Sequence, residues 1–139
     1  MTRVAMKIGR CGVVEKIPRG TVLVAVKRFA RWGLGKLRGP YSNKVYRTPV
    51  GKWSPLHKNL KMCVRGWHVT TASRLQDFNG SDVYIVECRG EVMGGGGKAA
   101  VGQIRLVQQV EGDVYGNIPA RRALRAYIRK ANARTAARG

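Results

Sequence analysis

Residues 61–92 read KMCVRGWHVTTASRLQDFNGSDVYIVECRGEV, and this stretch decides the fold class. Met62 and Val64 alternate with polar neighbours, and Gly66 is followed by Trp67, His68 and Val69. That pattern predicts a strand with a glycine interruption. Thr70 or Thr71 can cap a short helix whose apolar positions Ala72, Leu75 and Phe78 recur every three residues. Asn79-Gly80 signals a turn, and residues 82–92, rich in Val, Tyr and Ile, predict a second strand.

Outward from this centre the pattern continues. Residues 21–29, TVLVAVKRF, predict a strand with Val22, Val24 and Val26 on one face and Leu23, Ala25 and Lys27 on the other. Residues 4–8 suit a short edge strand, and 44–48 another. Residues 31–40, RWGLGKLRGP, read as a basic glycine-rich loop, and 49–57 as irregular chain around Trp53. The glycines at 94–97 suggest a flexible linker, and 98–110 alternate as a strand. The last segment is helical: Asn117 caps, Pro119 suits the first turn, and Ala120, Leu124, Tyr127, Ile128 and Ala131 form one apolar stripe. After Ala131 come mostly small and basic residues, expected to fray. The expected fold is α+β: a small, mostly antiparallel sheet with one short helix and a C-terminal basic helix. Residues 1–116 would form the core and 117–139 the basic helix and tail. No internal repeat is visible.

Charge narrows the function. The 139 residues hold 27 Lys and Arg against 7 Asp and Glu, a net charge of +20. Self-repulsion on that scale disfavours a compact state unless an anionic partner relieves it. The acids are Glu15, Asp77, Asp82, Glu87, Glu91, Glu111 and Asp113, so residues 16–76 and 114–139 contain cations and no acid. A merely solvated surface interleaves both signs. In the first basic segment Arg31, Trp32, Lys36 and Arg38, with Tyr41, Tyr46 and Trp53, place rings among cations; bases stack on such rings while cations meet phosphate. In the second, Arg121, Arg125 and Arg129 fall four apart, flanked by Arg122 and Lys130. The expected nucleic-acid-binding residues are therefore Arg31, Trp32, Lys36, Arg38, Arg121, Arg122, Arg125 and Arg129.

Enzymatic and metal signatures are weak. Cys63 and His68 lack a metal spacing, and a continuous strand would set them on opposite faces. No nucleophile elbow, phosphate loop or dinucleotide fingerprint is present, and Lys98-Ala99 after the four glycines lacks the hydroxyl a phosphate loop needs. Glu87 and Glu91 share a strand face by their even spacing; in so basic a chain they are expected to pair with Arg or Lys. No catalytic residue, metal or cofactor is assigned. Three cysteines, Cys11, Cys63 and Cys88, fit a reducing compartment better than a disulfide framework. The N-terminus shows no apolar signal region, and no apolar run is long enough to span a membrane.

The order Cys63-Val64-Arg65-Gly66-Trp67-His68, a short helix, then Val83-Tyr84-Ile85-Val86-Glu87-Cys88-Arg89-Gly90-Glu91-Val92 resembles an uncharacterised family of small bacterial and phage proteins. Lys98 to Val101 and Ile104 to Val107 also fit, and the likeness covers about residues 21–110. Val69-Thr70 replaces a frequent Ala-Cys pair, and Phe78 a frequent Tyr. The family carries no activity to transfer. Gly66-Trp67-His68 also resembles the first core strand of ADP-ribosyltransferases, which would give His68, Tyr84 and Glu91 roles around NAD; the spacing departs from that family's. The leading expectation is a non-enzymatic, phage-derived protein in the host cytoplasm or the virion. It would bind RNA or DNA, alone or in a ribonucleoprotein such as a host defence complex or the ribosome, and no membrane. The alternatives are a virion or assembly protein that meets acidic protein neighbours, and a transferase.

Overall fold

Two long strands carry the sheet. β7 (Asp82–Gly95) and β8 (Lys98–Gln109) form one antiparallel hairpin closed by Gly96 and Gly97. Both turn residues have positive φ, 20° and 88°, as a two-residue turn between right-twisted strands requires. The four glycines are thus strand end and turn, not a flexible linker. Gly94 is required for another reason: a β-carbon there would lie 2.6 Å from the carbonyl oxygens of Gly9 and Arg10.

The computed structural model describes residues 1–32, 36–38, 45–78, 80–111 and 116–138. Its further strands are β1 (Thr2–Ala5), β2 (Val14–Lys16), β3 (Thr21–Trp32), β4 (Lys36–Arg38), β5 (Val45–Tyr46) and β6 (Trp67–Val69). A 3-10 helix, Ala72–Asp77, precedes β7, and helix α1 (Asn117–Arg138) follows β8. The order β5-β4-β3-β7-β8-β6 is antiparallel throughout, but β1 pairs with β3 in parallel, so the sheet is mixed. β2 pairs with the second half of β7.

The sheet curls until its ends meet. The Val26 amide donates to the Thr70 carbonyl at 3.0 Å, and the Thr70 amide to the Val26 carbonyl at 2.9 Å, which joins the end of β6 back to β3. On the far side the Tyr46 and Trp67 rings meet edge-on at 5.3 Å. Closure encloses one core of Ala25, Phe29, Tyr46, Val69, Val86, Cys88, Val101, Ile104 and Leu106. The outer face carries a second core, where Val24, Val26, Val83 and Ile85 meet Leu75 of the 3-10 helix and Ala120 and Leu124 of α1. The strand alternation expected for residues 21–29 is realised, with both faces buried.

Several boundaries differ from the sequence expectation. Residues 31–40 were expected as loop, yet Arg31 and Trp32 end β3 and pair with Leu37 and Lys36 of β4. The strand expected from Met62 shrinks to Trp67–Val69, because Cys63 (φ 62°) and Gly66 (φ 108°) turn the chain. The short helix is 3-10, and no side chain caps it: the Thr70 hydroxyl instead donates to the Gly97 carbonyl at 2.7 Å. The expected fraying after Ala131 is replaced by helix to Arg138, because Asn132 is tied to β1. Residues 33–35, 39–44 and 79, with the loop and turn expected there, lie outside the described residues.

Ile85 is fully buried between β3, the 3-10 helix and α1. Ile85→Ala is expected to destabilise the fold by about 3 kcal/mol, the cost of lost contacts plus a residual cavity, measured by denaturant unfolding.

Candidate nucleic-acid interface

Helix α1 lies on the outer face of the sheet through its apolar stripe. Ala120, Leu124 and Ala131 are buried, with Tyr127 and Ile128 packed beside them. At 3.6 residues per turn, Arg121, Arg125, Arg129 and Arg122 then fall within an arc of about 100° on an adjoining side. All four are exposed, as are Lys130 and Arg134. None of the four arginines makes a hydrogen bond or ion pair among the described residues. The first turn contains no acid, so cations sit at the positive end of the helix dipole. Arg121, Arg125 and Arg129 are also like-charge neighbours at four-residue spacing. Both arrangements oppose helix stability.

What holds this helix in place is a buried carboxylate. Glu87 on β7 is fully buried. One carboxylate oxygen accepts from Nε of Arg105, at 2.9 Å, and from its Nη2. The other accepts from Arg3 Nε at 2.5 Å and from the Tyr127 hydroxyl at 2.6 Å. Four donors fill the acceptor positions of one carboxylate. They come from β8, β1 and α1, so a single side chain joins three elements to β7. The bonds from Tyr127, Arg3 and Arg105 hold the Glu87 carboxyl below its ordinary pKa despite burial. Burial and the bond to Glu87 push Tyr127 up to about 12. Nearby, the side-chain amide of Asn132 takes the place of a neighbouring strand: its Oδ1 accepts from the Arg3 amide, and its Nδ2 donates to the Arg3 carbonyl, both at 2.9 Å. This closes the outer edge of β1.

The expected pairing of Glu87 with arginine is therefore realised. Glu91 follows a register shift at Gly90, which has φ 91°, and it stands opposite Lys16 of β2. The even spacing therefore does not carry the two carboxylates to one site.

A second cationic group lies beside this network. The Arg89 guanidinium is 4.0 Å from the Trp53 ring centre, and that of Arg105 is 4.9 Å from it. Arg89 also donates to Gln103 at 2.7 Å. Sequence reasoning noted Trp53 but missed Arg89 and Arg105, whose strands bring them together across β7 and β8. Tyr46, named with Trp53 as a ring among cations, is buried against Phe29 and Trp67. Arg31, Trp32, Lys36 and Arg38 share the β3–β4 hairpin by backbone register; their side chains, and Tyr41, lie outside the described atoms. The structure thus groups Arg121, Arg122, Arg125 and Arg129 on one helix and leaves the hairpin set on a separate element.

Acids do little to offset these charges at the surface. Asp82 and Glu87 are buried, and Asp77 lies 3.7 Å from Arg74. The exposed acids among the described residues are Glu15, Asp77 and Glu111.

The residues that suggested catalysis have structural partners. His68 is buried, and its Nε2 accepts the Cys63 amide at 2.8 Å, so the imidazole is not across a strand from Cys63 as expected. Burial, with Lys27 and Lys98 nearby, lowers its pKa to about 4. Tyr84 packs edge-on to Phe29 at 5.9 Å. It lies nine residues along β7 from Met93, which stands in register with Ala100 and so with His68. Lys27 is enclosed in the barrel, where its ammonium donates to the His68 carbonyl at 2.5 Å and lies 5.1 Å from the Phe29 ring centre. Burial lowers its pKa to about 7. Among the described residues no three His, Cys, Asp or Glu side chains gather as a metal site. No described helix is long and apolar enough to cross a membrane. Comparison with protein-family models, curated proteins and solved structures finds no match for this chain.

Two expectations follow. Glu87→Gln leaves Arg3 and Arg105 facing a neutral group and is expected to cost about 3–5 kcal/mol in denaturant unfolding, whereas Tyr127→Phe, which removes one bond to the carboxylate, costs about 1.5–3 kcal/mol. Titration gives the second. Lys27 (about 7 folded, 10.5 ordinarily) and His68 (about 4 folded, 6.5 ordinarily) both bind protons more weakly in the fold. The unfolded chain therefore holds more protons in each window, and stability rises with pH from about 4 to 6.5 and again above about 7. The melting temperature should climb from pH 4 to 9, and Lys27→Met should flatten the part above pH 7.

Proposed function

We propose that this chain is a non-enzymatic nucleic-acid-binding protein that grips phosphate with the outer face of α1. The observation that carries the reading is the set of four exposed arginines, without an ion pair among the described residues, on one side of a helix anchored by another side. Such a row costs helix stability in isolation, and a polyanion removes that cost. The anchored face also fixes the row, so little order has to be created on binding. Arg89 beside Trp53 adds a cation and ring pair of the kind that meets phosphate and base together. The β3–β4 hairpin, with Arg31, Trp32, Lys36 and Arg38, supplies a second contact element. A phage origin and a ribonucleoprotein target, such as a defence complex or the ribosome, complete the reading.

Salt dependence tests it. Each neutralised phosphate contributes about −0.9 to the slope of log K against log salt on duplex DNA, so six contacts lower affinity roughly a thousandfold between 50 and 200 mM salt. Replacing Arg121, Arg125 and Arg129 with Gln is expected to make the slope shallower by up to about three units with the melting temperature retained or raised. Binding that these changes leave untouched would turn attention to an acidic protein partner, sought by pull-down from nuclease-treated host lysate. An added ADP-ribose on a target incubated with NAD would favour the transferase.

A further inference from the structure

Beside the Glu87 network, between β1 and the last turns of α1, lies a polar cavity of about 240 Å³. Arg3, Tyr127, Ala131, Arg134 and Thr135 line it. It is set apart from the exposed arginine arc, and only Ala131 among its lining residues is apolar. Among the described residues two cationic side chains line it, and no acid does.

The charges around it do not balance. Among the described residues Glu87 is the one carboxylate in contact with this group, and its oxygens are already filled by Arg3, Arg105 and Tyr127. Three guanidiniums, those of Arg3, Arg105 and Arg134, against one carboxylate leave two positive charges. Arg134 is exposed and makes no hydrogen bond or ion pair among the described residues. Arg3 commits Nε to Glu87 and reaches Thr135 through Nη1 at a long 3.4 Å. A guanidinium has five N–H donors, so three on Arg3 remain, all on its terminal nitrogens. The hydroxyls are oriented away: Tyr127 donates to Glu87, and Thr135 donates to the Ala131 carbonyl at 3.1 Å. The cavity therefore offers N–H donors and positive charge. Its volume is about that of eight liquid waters, enough for one phosphate group and some hydration.

We propose that this cavity is a site for a single phosphate group, bound between the guanidiniums of Arg3 and Arg134. A phosphate supplies up to two negative charges and several acceptor oxygens, which match two guanidinium forks. Glu87 then has a second role: it orients Arg3 by its Nε and turns the terminal nitrogens toward the cavity. The phosphate has two sources, a nucleic-acid backbone or a free phosphate ion. The site stands on its own charges and does not require the reading of the α1 arc.

The test uses the full chain and inorganic phosphate at constant ionic strength, with chloride making up the difference. Melting temperature and ³¹P line width are read together. Saturable stabilisation with line broadening is expected in the wild type. Because Arg3 also neutralises Glu87, its removal can unfold the chain, so the variant is Arg134→Gln on the exposed side of the cavity. Loss of one charge-assisted contact is expected to weaken phosphate about tenfold. The Arg121, Arg125 and Arg129 triple Gln variant should keep the wild-type phosphate response, so failure of the helix-face reading and failure of this site are separable. A short duplex without terminal phosphates that displaces the bound ion identifies the backbone as the source; a duplex that leaves it bound identifies free phosphate, and both outcomes support the site. No saturable response in the wild type, or an equal response in Arg134→Gln, overturns it.

Discussion

The Glu87 carboxylate is the constraint on which the outer face of the protein depends. A buried charge is costly unless opposite charges and hydrogen bonds surround it. Here the requirement is met only when β1, β8 and α1 are all in place, because each contributes a donor. A greasy substitute could fill the space but would not specify which elements meet. The carboxylate therefore sets the helix position: Tyr127 must face inward over β7, and the opposite side of α1 is committed to solvent.

That geometry explains where the positive charge ends up. The chain carries few acids, and two of them, Asp82 and Glu87, are buried. Glu87 is balanced by Arg3 and Arg105, whose side chains are largely covered. Folding covers the acids Asp82 and Glu87 and, against them, the cations Lys27, Arg28, Arg3 and Arg105, a small part of the 27 Lys and Arg, so the surface stays strongly positive. The helix that Glu87 anchors displays four of the remaining cations on one side.

Local pattern made much of this legible, and long-range pairing supplied the rest. The alternation of Val24, Ala25 and Val26, and that of Ile104 and Leu106, marked strands because the period of two is a property of the residues themselves. The Leu124, Tyr127 and Ile128 stripe marked α1 for the same kind of reason. The end of β3 and all of β4 were missed because Arg31, Trp32, Lys36, Leu37 and Arg38 lack an apolar period and become strand only through cross-strand pairing. The glycines at 94–97 carry no information on whether they are linker or hairpin; the pairing of β7 with β8 decides it. The pairing of Glu87 with an arginine was foreseeable from charge balance. Its choice of Arg3, 84 residues away, was not, since nothing local links β1 to β7. Lys27 looked like an ordinary polar strand position. Closure of the barrel through Thr70 buries it.

The two cationic features differ in what the fold does for them. The arc of Arg121, Arg122, Arg125 and Arg129 is displayed: its members are exposed and make no hydrogen bond or ion pair among the described residues. Arg3 is instead held, with Nε fixed by a carboxylate and its backbone amide and carbonyl fixed by Asn132. Displayed cations give affinity for any polyanion and fast encounter, with little geometric selection. A held guanidinium gives direction, because its remaining donors can approach an anion from one side only. If both met one phosphate backbone, as proposed, the held group would fix its register and the displayed group would attract it. The division follows from one residue, since Glu87 is what immobilises Arg3 and what turns the arginine arc outward.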